Sequence, residues 1–176
     1  MQETPQSDHG DSLIRNATIA DIEQITEIYN QGILDRIATL EDGTKSIEEM
    51  VAWLNSRSER YKVIVAQNDK GSITGWASLN TFNDRECYKG VADLSIYIHR
   101  EERGKGLGKT LLLALFETAK QADFYKIVLH TFSFNYAGQS LYTSLGFTTV
   151  GTYINQGRLD GKWIDMTIME KMLIDI

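Results

Sequence analysis

Seven residues, Arg103-Gly104-Lys105-Gly106-Leu107-Gly108-Lys109, constrain this chain more than any other stretch, because of what flanks them. Upstream, Leu94-Ser95-Ile96-Tyr97-Ile98 has the β-branched and aromatic content of a strand. Downstream, Leu107, Leu111, Leu112, Leu115, Ala119 and Ala122 recur on one helical face. A strand, a glycine-rich turn and a helix start make an anion cradle. Glycines let the backbone approach a phosphate, and the first amides of a helix have no partner inside it. The stretch is expected to hold a phosphorylated cofactor. A surface turn without function is the alternative, and the flanks argue against it.

Spacing narrows the cofactor. A Walker-type loop requires glycine five positions before the Gly-Lys pair, and Gly108-Lys109 has Arg103 there. A dinucleotide fingerprint, G-x-G-x-x-G, fails at Lys109 when started from Gly104 and at Leu111 when started from Gly106. The pattern present is R-x-x-G-x-G, from Arg103 through Gly106 to Gly108. It resembles the pyrophosphate loop of the GCN-related N-acetyltransferase (GNAT) superfamily, which implies acetyl-CoA as cosubstrate.

At 176 residues and 42% hydrophobic, the chain suits one compact domain, expected over residues 13–176 behind a polar tail at 1–12 that holds the only proline. A net charge of −6 argues against general nucleic-acid or anionic-membrane binding, yet a local spot of Arg100, Arg103, Lys105 and Lys109 still suits one phosphorylated ligand. Cys87 is the sole cysteine, which points to a reducing compartment. His9, His99 and His130 lack metal-ligand spacing with one another or with Cys87, so no metal is expected. No signal-peptide pattern or membrane-length apolar run is present, and the reading is a soluble, cytoplasmic protein.

The pattern predicts a strand at 13–17, then a helix opened by Thr18 and Asp21 and carrying Ile22, Ile25, Ile28, Tyr29 and Ile33. A second helix follows Ser46. Strands at 61–67 and 72–79 flank the turn Asn68-Asp69-Lys70-Gly71. A strand at 91–98 leads into the glycine loop. A strand at 127–132, a short helix at 136–145 ended by Gly146, and strands at 147–154 and 163–169 complete the series. Hairpin-paired strands, a crossing helix and further strands make a mixed α/β sheet. The order matches the GNAT acyl-CoA N-acyltransferase fold, a mostly antiparallel twisted sheet flanked by helices, and not a doubly wound one.

Acetyl transfer to an amine needs the pyrophosphate held, the pantetheine arm aligned, the oxyanion stabilised and a proton removed. Gly104, Lys105, Gly106, Leu107, Gly108 and Lys109 meet the first demand. The superfamily resemblance implies that Ile96, Tyr97 and Ile98 form a splayed strand edge that pairs with the arm and offers an oxyanion donor. Asn135 and the run Leu141-Tyr142-Thr143-Ser144-Leu145-Gly146-Phe147 resemble the superfamily's N-x-x-A-x-x-L-Y-x-x-x-G-F element, with Gly138 in place of alanine. Asn135 would then bond the cofactor and Tyr142 would protonate the departing thiolate. A helix-capping asparagine and a packed tyrosine are the alternatives.

Five further motifs occur in order: Ile28-Tyr29-Asn30, Ala38-Thr39-Leu40-Glu41, Arg85-Glu86-Cys87-Tyr88, Asp93-Leu94-Ser95-Ile96-Tyr97-Ile98 and Gly161-Lys162-Trp163-Ile164-Asp165. As a set they look like the phosphinothricin N-acetyltransferase family, which includes acetylases of methionine sulfoximine and methionine sulfone. The resemblance implies a homodimer. It places Asp93 where the family carries a glutamate that assists deprotonation of the amine, directly or through water. Arg85 and Tyr88 would bind the substrate's anionic group, arginine by paired hydrogen bonds. Leu40 replaces a phenylalanine, Asp93 the glutamate, and Asp160 a histidine or aromatic residue. Asp160 would bring a negative charge to the substrate if it faced the pocket.

The expected activity is direct transfer of acetyl from acetyl-CoA to the amine of a small amino-acid-like substrate. Cys87 as an acetyl-carrying nucleophile is disfavoured, with no histidine nearby in sequence to activate it. A protein N-terminus or another metabolite amine is the alternative acceptor, and a non-catalytic acyl-CoA sensor is the alternative class.

Overall fold

A computed structural model describes residues 12–175, so the expected tail, save Ser12, lies outside the described residues. The strands are β1 (Leu13–Asn16), β2 (Val63–Gln67), β3 (Ile73–Thr81), β4 (Val91–Ile98), β5 (Lys126–Phe132), β6 (Thr148–Leu159) and β7 (Lys162–Met172). The helices are α1 (Ile22–Leu34), α2 (Ile47–Asn55), α3 (Leu107–Gln121) and α4 (Tyr136–Ser144). The seven strands form one sheet in the order β1-β2-β3-β4-β5-β7-β6. Every pairing is antiparallel except β4 with β5.

Alternation along β4 divides the two faces of the sheet. Leu94, Ile96 and Ile98 join the core beneath α3, with Leu111, Leu112, Leu115 and Phe116. Tyr97 packs instead against the cluster under α1 and α2, built from Ile22, Ile25, Ile28, Met50, Val65 and Trp76. Asp93 and Ser95 share the face of Tyr97 by the same alternation.

The parallel pairing of β4 with β5 lasts only three residues, from Val91↔Lys126 to Asp93↔Val128. Beyond it the strands part, and residues 94–98 keep a hydrogen-bonding neighbour only on the β3 side. The expected splayed edge is present.

The entry to α1 is held by Asp21. Its carboxylate accepts from the Thr18 backbone N–H at 2.8 Å and from both Arg15 Nη atoms at 2.7 and 2.8 Å. The Arg15 guanidinium lowers the Asp21 pKa to about 2. Ser46 and Glu49 form the reciprocal cap of α2.

The last two strands run longer than their sequence pattern predicts, β7 to Met172 and β6 to Leu159. β6 continues to Leu159 although residues 155–158 are polar, because its partner β7 supplies the ladder and Leu159 is buried against Phe132 and Met166. Pairing slips between Tyr153 and Gly157, where Asn155 adopts a positive φ of 53°. Such irregularity erases the alternation that a sequence reading relies on.

Candidate active site

Two cavities share Tyr97 in their lining. The first, of about 420 Å³, lies between the free edge of β4, the glycine loop and α4. Ile96, Tyr97 and Ile98 form one wall; Arg103, Gly104, Gly106, Leu107, Gly108 and Lys109 form the base. Asn135 and Tyr142 close the far side.

The base is an uncapped helix start. Gly106 has φ +87°, a left-handed conformation that costs glycine little and other residues more. No side chain caps α3, and the first amide to bond back is Thr110 N–H, to Gly106 C=O at 3.4 Å. The amides of Leu107, Gly108 and Lys109 are therefore left for an anion in the cavity. Lys109 adds a positive charge and forms no ion pair among the described residues. These donors fit a pyrophosphate.

Arg103, at the base of the cavity, is also engaged by protein groups. Its Nη1 donates to Asp35 Oδ2 at 2.6 Å and its Nε to the Ile98 carbonyl at 3.2 Å. Arg100 takes the other Asp35 oxygen at 2.7 Å. The two guanidiniums, Arg100 foremost, hold the Asp35 carboxyl below its usual range. They brace the loop against the end of α1. Lys105 does not line the cavity and pairs with Glu102 at 3.3 Å.

Asn135 both caps α4 and lines the cavity. Its Oδ1 accepts from Gly138 N–H at 3.0 Å and its Nδ2 donates to Thr131 Oγ1 at 3.1 Å. Gly138 is what permits this fold of the side chain, since a Cβ there would sit 2.5 Å from Asn135 Nδ2. Tyr142 is packed against Phe147 in the core and reaches the cavity. Burial pushes its phenol up to about 12, so it stays a proton donor at neutral pH.

The second cavity, of about 430 Å³, opens on the α1 and α2 side. Its floor is polar: Asn80 Nδ2 donates to Ser95 Oγ, and Ser78 Oγ to Asn80 Oδ1, both at 3.0 Å. Tyr29, Trp53 and Trp76 form an aromatic wall. Glu41, Lys45 and Glu49 rim it, with Lys45 bonded to Glu41 at 2.9 Å and Glu49 engaged in the α2 cap. Tyr97 lies 4.8 Å from Trp76 and 4.9 Å from Tyr29, ring centre to ring centre, and burial raises its pKa.

Asp93 pairs in register with Asn80, one step along the face from Ser95. Its Oδ2 lies 3.3 Å from His130 Nδ1. This hydrogen bond to Asp93 raises the imidazole pKa above its usual value against the opposing effect of burial. Sequence reasoning weighed His130 only as a metal ligand and missed this contact. Among the described residues no group of three His, Cys, Asp or Glu side chains is placed to hold a metal.

Arg85, Cys87 and Tyr88 sit on the exposed connection into β4 and line neither cavity. Tyr88 rests edge-on against Phe82 at 5.6 Å. Asp160 occupies the β6–β7 turn, where Arg36 Nε meets its carboxylate at 3.0 Å, so its charge is matched away from both cavities. Leu40 packs with Phe132, Leu159 and Met166.

A free strand edge beside an amide-lined anion cradle is the arrangement an acyl-CoA site needs, and comparison with known proteins decides the matter. Residues 14–168 match the family model described as an acetyltransferase (GNAT) domain. The chain belongs to the GNAT acetyltransferase family. A relative named L-methionine sulfoximine/L-methionine sulfone acetyltransferase, from Pseudomonas aeruginosa, is 32% identical over 158 residues, 89% of this chain and 92% of the relative. The L-amino acid N-acyltransferase MnaT of Escherichia coli is 31% identical over 160 residues, covering 91% and 93%. A solved GNAT superfamily phosphinothricin acetyltransferase from Sinorhizobium meliloti, in complex with acetyl-CoA, superposes with a TM-score of 0.87 at 30% identity, over 92% of this chain and 88% of that one. This acetyltransferase is an acetyl-CoA-dependent N-acetyltransferase.

Proposed function

We propose that the acetyltransferase, acting as a single catalytic domain, moves acetyl to the α-amine of a small amino-acid-like substrate of the methionine sulfone, methionine sulfoximine and phosphinothricin class. The observation that carries the reading is that Tyr97 lines both cavities. The cosubstrate bears the acetyl thioester and binds along the free edge of β4, while the amine comes from the polar side. Backbone N–H groups of residues 96–98 stabilise charge on the thioester oxygen. Tyr142 donates a proton to the sulfur, and Asp93 is the carboxylate on which deprotonation of the amine depends.

The rim favours one part of this class. Glu41 and Glu49 outnumber Lys45, so a second anion on the acceptor meets repulsion. Methionine sulfone and sulfoximine have uncharged side chains and fit better than phosphinothricin, whose phosphinate is anionic. The test is thiol release from acetyl-CoA with a panel of methionine sulfone, methionine sulfoximine, phosphinothricin and short peptides. The sulfone and sulfoximine are expected to give the highest kcat/KM. Preference for peptides would move the acceptor to a protein N-terminus, and tight acetyl-CoA binding without turnover of any amine would make the protein a sensor.

A further inference from the structure

We infer that His130 is the group that takes the proton from the acceptor amine, and that Asp93 is the carboxylate that orients it. The inference rests on the transferase reading above and names the residue through which Asp93 acts. A carboxylate only accepts, so the 3.3 Å contact with Asp93 Oδ2 puts the proton of the neutral ring on Nδ1 and leaves the lone pair on Nε2. Nε2 makes no hydrogen bond among the described residues, and the side chain is 38% exposed.

Placement supports the assignment. Pairing of β4 with β5 ends at Asp93↔Val128, so His130 stands two residues past the point where the strands part. Ile127 and Leu129 point into the core beneath α3, whereas Phe132 joins Leu40 on the opposite side. His130 alternates with Leu129 and therefore shares the sheet face of Asp93 and Ser95, of which Ser95 lines the second cavity while Asp93 and His130 lie next to it along the strands. Tyr153 of β6 lies beside the ring, with centroids 6.3 Å apart and planes 14° from parallel. The polar groups around the ring are Asp93 from β4 and the Tyr153 phenol from β6. Its partner on β7 is Ile168, and Glu170 further along is matched by Lys126. A single carboxylate thus governs the imidazole.

The proton count closes. The substrate ammonium gives one proton to His130 Nε2; Asp93 stabilises the imidazolium, which passes the proton to water. The C–N bond then forms, and the nitrogen's second proton leaves by the same route. As the C–S bond breaks, Tyr142 protonates the sulfur and is reprotonated from water. One proton reaches solvent for each acetyl transferred.

His130→Gln is the deciding variant, measured as kcat/KM for methionine sulfone against pH, with acetyl-CoA affinity by calorimetry. The expected loss is about 100-fold in kcat/KM, with acetyl-CoA affinity unchanged. The wild-type profile should rise through an ionisation above 6.5 that the variant lacks. In Asp93→Asn that ionisation should move to lower pH, and the same shift should appear in the His130 NMR titration. Added imidazole should restore rate to His130→Ala. A His130→Gln enzyme within about threefold of wild type, keeping the ionisation, overturns the inference and leaves the transferase reading intact. A wild-type protein that acetylates no amine overturns both.

Discussion

Gly32 offers a sharp test of how the two cavities are joined. It lies in ordinary helix within α1, so alanine there meets no backbone penalty and gains about 1 kcal/mol of helix propensity. Its Cβ, however, would stand 2.9 Å from Tyr97 Cδ1 and 3.3 Å from Cε1. Tyr97 has little room to yield, because Trp76 and Tyr29 hold it at 4.8 and 4.9 Å and Trp76 is only 2% exposed. Overpacking of this kind costs about 1–3 kcal/mol. The clash therefore outweighs propensity, and Gly32→Ala should be destabilised by about 1 kcal/mol, a fall in Tm of about 2–4 °C. Because Gly32 and Tyr97 both line the cofactor cavity, acetyl-CoA affinity should fall as well. Calorimetry gives both quantities. In a Tyr97→Leu background the same alanine should stabilise by about 1 kcal/mol, since only propensity remains. A Gly32→Ala protein with a raised Tm and unchanged acetyl-CoA affinity would refute the reasoning.

Three other outcomes follow from the geometry. Gly106→Ala forces a side chain into φ +87° at the head of α3, at a strain of about 1–2 kcal/mol, and should weaken acetyl-CoA binding by roughly tenfold in calorimetry. Tyr142→Phe keeps the buried ring and removes only the donor, so kcat should fall by about 100-fold with the KM for acetyl-CoA unchanged. With the Tyr142 pKa at about 12, wild-type activity should show no alkaline loss from this residue below about pH 11. Asp21 is depressed from 3.8 to about 2, so its contribution of about 2 kcal/mol is complete above the unfolded value and fades as pH falls through the folded one. Urea titrations of wild type and Asp21→Asn should differ by that amount at pH 7 and converge near pH 2; a gap that persists in acid would mean the carboxylate's charge is not the cause.

How much of this site is legible in the sequence depends on whether backbone or side chains do the binding. The cofactor side is built from amides, and local pattern determines those: Gly106 and Gly108 after an apolar strand and before an apolar helical face lead to an uncapped helix start, which is what forms. Side-chain charges follow no such local rule. Nothing in the sequence around Arg103 announces that Asp35, distant in the chain, also pairs with its guanidinium. Asp160 reads as a charge near substrate until Arg36 matches it across 124 positions of sequence. His130 looks inert in an apolar strand, because its meaning comes from a parallel register between β4 and β5 that neither strand encodes alone. The same register that brings Asp93 to His130 also ends three residues after it begins, opening the edge along β4. Proton acceptor and thioester site are thus products of one irregularity in the sheet. A change that extended the pairing past Asp93 would close the edge and displace the dyad together, even with every motif residue left in place.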